Sequence, residues 1–223
     1  MIEKLLPPAV SSAEVFDDSK DIALFPEEER ALGQAVEKRR REFATARMCA
    51  RRALKQLGLP PSPIVPGPNR EPLWPTGTVG SITHCEGYRA AVVALARDIA
   101  LVGVDAEPNR PLPDGVFADI ADDEERRASA RHAALDRQVC WDRLLFSAKE
   151  SVYKAWFPLT KQWLGFEEVW IDVAPTTGTF SATLKRPTPS IEAQRLAEFE
   201  GQWVANRSLI LTAIARPKGN PIR

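Results

Sequence analysis

Between Trp141 and Trp156 the apolar side chains recur at helical spacing, with Trp141, Leu144, Leu145, Ala148, Val152, Ala155 and Trp156 on one side at about 100° per residue. The spacing predicts a helix from about Val139 to Phe157 whose broad stripe faces a core, leaving Glu150 and Lys154 together on the other side. What such a helix lies on is set by its surroundings, which read as strands. Ala90–Leu95 and Ile99–Val104 flank Arg97-Asp98 as a hairpin or two neighbouring strands, and Val169–Val173, Phe180–Leu184, Gln202–Ala205 and Ser208–Ala215 follow.

Nearer the start, Pro26 suits a first helical turn, Glu27, Glu28 and Glu29 suit the positive helix end, and Val36, Phe43, Ala50 and Leu57 recur on one face. That pattern predicts one long helix stopped by Gly58, with Pro60 and Pro61 beyond it. Pro60 to Pro75 shows no period and reads as an ordered loop, and Asp122 to Arg137 reads as a solvated, charged helix. The order is mixed α and β, twice over, with no internal repeat.

Composition removes several classes of function. Thirty Lys and Arg balance thirty Asp and Glu over 223 residues, so no global field draws the chain to nucleic acid or an anionic membrane. No apolar run approaches spanning length, and the Met1 to Pro8 segment lacks a secretory core, so the expected location is the cytoplasm. Cys49, Cys85 and Cys140 form no C-x-x-C pair, and only His84 and His132 could add imidazole ligands. Any metal chemistry must therefore rest on carboxylates.

Gly103-Val104-Asp105-Ala106-Glu107-Pro108 ends an apolar strand, and a period of two puts Asp105 and Glu107 on one face. Such hard oxygen donors suit magnesium, though an exposed strand end is the commoner meaning of an isolated Asp-x-Glu. Glu150 and Lys154 could equally be a solvated ion pair. Arg47, Arg51 and Arg52, with Lys38 to Arg41 before them, form a local basic cluster able to hold phosphates. Gly80-Ser81-Ile82-Thr83-His84-Cys85 offers small residues, hydroxyls and one imidazole near a turn.

Taken in order, the arginine helix, the proline-rich loop, Gly-Ser-Ile-Thr-His, Gly-Val-Asp-Ala-Glu and Phe-Ser-Ala-Lys-Glu-Ser-Val-Tyr-Lys resemble the 4′-phosphopantetheinyl transferases of the Sfp or EntD type. The resemblance runs from about Phe43 to Phe166, and Trp-Leu-Gly-Phe at 163–166 resembles the actinobacterial members. It implies an α/β (α+β) fold of two similar halves related by a pseudo-twofold axis, residues 1–104 and 105–223, with coenzyme A between them. It implies a monomer that moves 4′-phosphopantetheine from coenzyme A to a serine of an acyl or peptidyl carrier protein and releases adenosine 3′,5′-bisphosphate.

By the same resemblance Asp105, Glu107 and Glu150 hold magnesium, Glu150 and Lys154 are catalytic, and Lys154 lies next to the diphosphate. Arg47, Arg51, Thr83 and His84 match positions that contact coenzyme A phosphates, with Lys149 a further candidate. Two departures affect those contacts. Arg70-Glu71-Pro72 stands where many members have Gly-Lys-Pro, so Arg70 takes over the lysine's role, and Thr83-His84 replaces Ser-His while keeping the hydroxyl. A nucleotide phosphohydrolase could use the same carboxylates and cations with water in place of the serine.

Overall fold

The computed structural model describes residues 1–18, 21–186, 190–191 and 194–219. Strand β1 (Val10–Val15) precedes helices α1 (Pro26–Leu32) and α2 (Glu37–Gln56), then strands β2 (Thr78–Cys85), β3 (Tyr88–Leu95) and β4 (Ile99–Pro108). Helices α3 (Val116–Ile120), α4 (Asp123–Leu135) and α5 (Trp141–Thr160) follow, and strands β5 (Val169–Ala174), β6 (Thr179–Leu184), β7 (Ser190–Ile191), β8 (Gln194–Arg195), β9 (Glu198–Ala205) and β10 (Leu209–Pro217) complete the order. Among the described residues the larger sheets are antiparallel, one in the order β1-β3-β2 and one in the order β4-β10-β9-β6-β5. Each sheet carries one long helix, so the mixed α+β class read from the sequence is the observed one.

The alternation of side chains assigns the layers. On β3, Ala91 and Val93 pack with Cys49, Ala50, Ala53 and Leu54 of α2, while Ala90, Val92 and Ala94 face the other way. They meet Val102, Val104 and Ala106 of β4 and Leu211 and Ala213 of β10 in a core shared by both sheets. The odd-numbered side of β4, starting with Leu101, turns instead to α5, whose Ala155 and Trp156 are fully buried over Phe180, Phe199 and Ile214.

The expectation that β3 and β4 form a hairpin or two neighbouring strands is corrected. β3 pairs with β1 and β2, whereas β4 pairs along its length with β10, about a hundred residues downstream. Two adjacent apolar runs show that both are buried but carry no information about their hydrogen-bonding neighbours. β4 instead runs beside β2, where the Ser81 and Thr83 hydroxyls accept the backbone N–H groups of Val104 (3.1 Å) and Ala106 (2.9 Å). Side-chain oxygens thus join the two sheets at an edge where a backbone ladder would otherwise be needed.

The single long helix from Pro26 is also corrected. Gly33, at φ +57° and ψ −137°, breaks it, and Val36 is exposed rather than on the apolar face. The break folds α1 back so that Glu28, fully buried, accepts Arg51 of α2 and the backbone N–H groups of Phe25 and Ile64. The segment 80–85, expected only to lie near a turn, is itself part of β2, and β1 carried too little alternation to be foreseen.

Candidate active site

Helix α5 and strand β4 cross in a register that places the charged groups. Two residues along a strand advance by about 6.6 Å, and four along a helix by about 6 Å, so alternate β4 residues meet successive turns of α5. Arg143 meets Glu107, Ser147 meets Asp105, and Gly103 lies under Ser151 and Ala155. A Cβ on Gly103 would stand 2.1 Å from the Ser151 carbonyl and 2.6 Å from the Ala155 nitrogen. Only glycine lets the helix descend far enough for its polar stripe to reach the strand's carboxylates.

Asp105, 4% exposed, is held from three directions. Its Oδ1 accepts Lys154 Nζ at 2.6 Å and the Thr83 hydroxyl at 3.3 Å, and its Oδ2 accepts the Ser147 hydroxyl at 2.9 Å. Glu107 accepts Arg143 Nη1 through Oε2 at 2.9 Å. Burial, then the charge of Asp105, pushes the Glu107 carboxyl up to about 7 against the opposing pull of Arg143 and Lys154. Glu150 is raised by the same two causes, burial and Asp105, with Lys154 opposing. No hydrogen bond or ion pair holds the Glu150 carboxylate among the described residues.

The donor chemistry fits a hard divalent cation: the Asp105 charge raises both Glu107 and Glu150, Glu150 lacks a partner, and Glu107 keeps Oε1 free of any described residue. Among the described residues no group of three or more His, Cys, Asp or Glu side chains is gathered closely enough to hold a metal ion as it stands. Lys154 and Arg143 are seated on two of the three instead.

A cleft of about 190 Å³ opens beside this group, lined by Glu150, Tyr153, Lys154 and Phe157 of α5, Ser81 and Ile82 of β2, and Arg70. Beyond Arg70 and Ile82 lies a second cleft of about 320 Å³, where Arg39, Arg47, Arg70 and His84 converge around Phe43. Arg47 stacks 3.6 Å above the Phe43 ring and donates to the Ile64 carbonyl at 3.0 Å. Burial lowers it to about 10, which leaves it cationic near neutral pH. Desolvation, then the charge of Arg39 at 3.2 Å, holds the His84 imidazole below its usual range. Arg70 adopts φ +67°, the left-handed conformation for which the glycine of the Gly-Lys-Pro wording is suited.

Thus Asp105, Glu107, Glu150 and Lys154 come together, as do Arg47, Arg70 and His84. Three other expected phosphate contacts are spent elsewhere. Lys149, 2% exposed, turns away from the cleft to Glu125 (2.9 Å) and the carbonyls of Ile120 (2.7 Å) and Phe166 (3.0 Å), which occupy all three of its donors. Arg51 is committed to Glu28 and the Ala23 carbonyl. The Thr83 hydroxyl donates to Asp105 and accepts from Ala106 and Lys154, which uses its full capacity. Sequence reasoning included Arg39 only within the Lys38–Arg41 run and missed Arg143 and Ser147. The i, i+4, i+8 row Arg39–Phe43–Arg47 and the stripe Arg143–Ser147–Glu150–Lys154 were the available signals.

A family model described as the 4′-phosphopantetheinyl transferase N-terminal domain matches residues 27–94, and one for the 4′-phosphopantetheinyl transferase superfamily matches residues 101–206. The 4′-phosphopantetheinyl transferase Svp of Streptomyces mobaraensis is 52% identical over 218 residues, covering 96% of this chain and 89% of that protein. The 4′-phosphopantetheinyl transferase PptT of Mycobacterium tuberculosis is 44% identical over 222 residues, covering 96% of this chain and 97% of its own length. The corresponding transferase Npt of Nocardia iowensis is 44% identical over 223 residues, covering 96% and 99%.

Proposed function

Because the chain belongs to the 4′-phosphopantetheinyl transferase superfamily and transfers 4′-phosphopantetheine to carrier proteins, we propose that Asp105, Glu107 and Glu150 hold the magnesium ion for that transfer. The observation that carries this reading is the unpartnered Glu150 carboxylate beside Asp105 at the head of the cleft. Coenzyme A is the donor, with its 3′-phosphate and adenosine against Arg39, Arg47, Arg70 and His84 and its pantetheine arm along Tyr153 and Phe157. Arg51 and Thr83 support this site from behind, Arg51 by fastening α1 to α2 and Thr83 by tying Asp105 to the junction of the sheets.

In the proposed reaction the carrier's serine oxygen forms a bond to the β-phosphorus, the bond from that phosphorus to the bridging oxygen breaks, and adenosine 3′,5′-bisphosphate leaves. Glu150, raised above the usual carboxylate range, takes the serine proton directly or through one water. Magnesium, when bound, neutralises diphosphate charge. Lys154 brings its ammonium to the side where the leaving oxygen gains charge, and Asp105 and Thr83 fix where that ammonium stands. Lys149 supports the catalytic helix from beneath rather than touching phosphate. The protein acts as a monomer in the cytoplasm, and among the described residues no helix is long and apolar enough to cross a membrane.

The test is to incubate coenzyme A with and without an apo carrier protein and quantify adenosine 3′,5′-bisphosphate. Release only when the carrier is present supports the transferase assignment with this site. Equal release without a carrier would mean that water is the acceptor and that the site is a phosphohydrolase's.

A further inference from the structure

Arg143 stands in the first turn of α5, seven residues before Glu150 and on the same stripe, and the reaction described above gives it no task. Its guanidinium is nevertheless among the most constrained groups near the site. Nε donates to the Arg110 carbonyl at 3.1 Å and Nη2 to the Pro111 carbonyl at 3.0 Å, which fixes the plane of the fork against the segment leaving β4. That segment is itself pinned: Asn109 donates to the carbonyls of Gln138 and Asn206 and accepts from the Cys140 backbone, and Leu112 donates to Asp142. The remaining arm, Nη1, grips Glu107 Oε2 at 2.9 Å, with the two side chains 13% and 18% exposed.

We propose that Arg143 is the positioning residue for Glu107, holding one carboxylate oxygen so that the other is presented to the metal ion. Three donors of one rigid plane are committed in three directions, so the guanidinium cannot swing without releasing two backbone carbonyls. Glu107 therefore has one oxygen fixed and one oxygen, Oε1, that no described residue occupies. Asp105 is held through both oxygens, by Ser147 at Oδ2 and by Lys154 and Thr83 at Oδ1, so one stripe of α5 touches both carboxylates of β4 and leaves a free oxygen only on Glu107. Partners that orient a metal's ligands typically change affinity by about 10- to 100-fold when removed. This inference rests on the reading of Asp105, Glu107 and Glu150 as metal ligands.

The experiment measures Mn²⁺ binding, by the loss of the free-ion paramagnetic resonance signal, to the full chain with coenzyme A. The parent, Arg143→Met, Arg143→Lys and Glu107→Gln are compared, with Michaelis constants for coenzyme A and melting curves alongside. Arg143→Met should weaken Mn²⁺ by about tenfold or more while the Michaelis constant for coenzyme A changes less than about twofold. Arg143→Lys, which keeps the charge but not the three-way fork, should recover only part of that loss. Its retained charge also keeps the test usable if the methionine variant does not fold. Mn²⁺ affinity within twofold of the parent in a folded Arg143 variant, while Glu107→Gln binds weakly, would overturn the positioning role alone. Unchanged binding in Glu107→Gln would overturn the metal reading and this inference with it.

Discussion

Glu150 and Lys154 lie one turn apart on α5 and face the same cleft, yet they are expected to fail differently. On the proposed reading, Glu150→Gln keeps the shape but removes a metal ligand's charge and the base, so turnover and magnesium affinity should fall together. Lys154→Met keeps the stem and removes the cation that, on the same reading, acts mainly in the transition state. Turnover should drop by about a hundredfold or more with magnesium affinity nearly intact, as for loss of one preorganised charge-stabilising donor. Steady-state assays beside calorimetric magnesium titrations check both, and normal turnover in Lys154→Met would reduce Lys154 to a structural partner of Asp105. Glu107 adds a pH dependence. Its carboxyl rises from the ordinary 4.5 to about 7, so the folded chain holds this proton more tightly than the unfolded chain does. Without metal, its contribution to stability is fully present below about 4.5 and is lost as pH rises through about 7. With Glu107 as a metal ligand, as proposed, metal displaces the same proton, so magnesium affinity should climb by up to about tenfold per pH unit below about 7, level off above it, and lose much of this slope in Glu107→Gln. At this scale the sequence was informative: two spacings, Asp-x-Glu and Lys-Glu-x-x-x-Lys, held four of the residues that meet. It offered Lys149 as a phosphate contact, because a buried lysine with three oxygen partners reads in sequence like any lysine beside a glutamate.

Between elements, the crossing of α5 over β4 decides whether those residues meet at all. Gly103→Ala places a methyl group against two backbone atoms of the helix, neither of which can rotate away. The expected cost is about 1–3 kcal/mol or more, with a loss of turnover beyond what the melting curve explains, because lifting α5 separates Ser147 and Lys154 from Asp105. Unchanged turnover and stability in that variant would mean that the contact is loose. Lys149→Met tests the other side of the same helix. Removing one partner of the buried Lys149–Glu125 pair leaves Glu125 charged and enclosed, at a cost of about 3–5 kcal/mol. Thermal melts should therefore register it strongly, whereas a lysine serving as a phosphate contact would change the coenzyme A Michaelis constant and spare the melt. The helix itself was legible from its apolar period, but its crossing partner was not. That partner follows from the pairing of β4 with β10, and only the folded sheet supplies that information.

Across the whole molecule, two helix-bearing sheets share one apolar core and meet at an edge closed by the Ser81 and Thr83 hydroxyls, and the two clefts lie along that meeting line. Arg39, Arg47 and Arg70, with the His84 imidazole, line the cleft on the first sheet's side, and carboxylates and a lysine line it on the second, so a diphosphate linking 3′-phosphoadenosine to pantetheine suits the junction. The neutral net charge of the chain hides this division, which is why composition alone excluded nucleic acid without pointing to a phosphate ligand. The most direct measurement is the intact mass of an apo carrier protein after incubation with coenzyme A, across a magnesium titration, with the parent and with Asp105→Ala. The expected result is one added phosphopantetheinyl group per carrier with the parent and magnesium, and little or none with Asp105→Ala or with the metal chelated. Modification at the parental rate by folded Asp105→Ala, or in the presence of excess chelator, would contradict the assignment of Asp105, Glu107 and Glu150 as the metal site for this transfer.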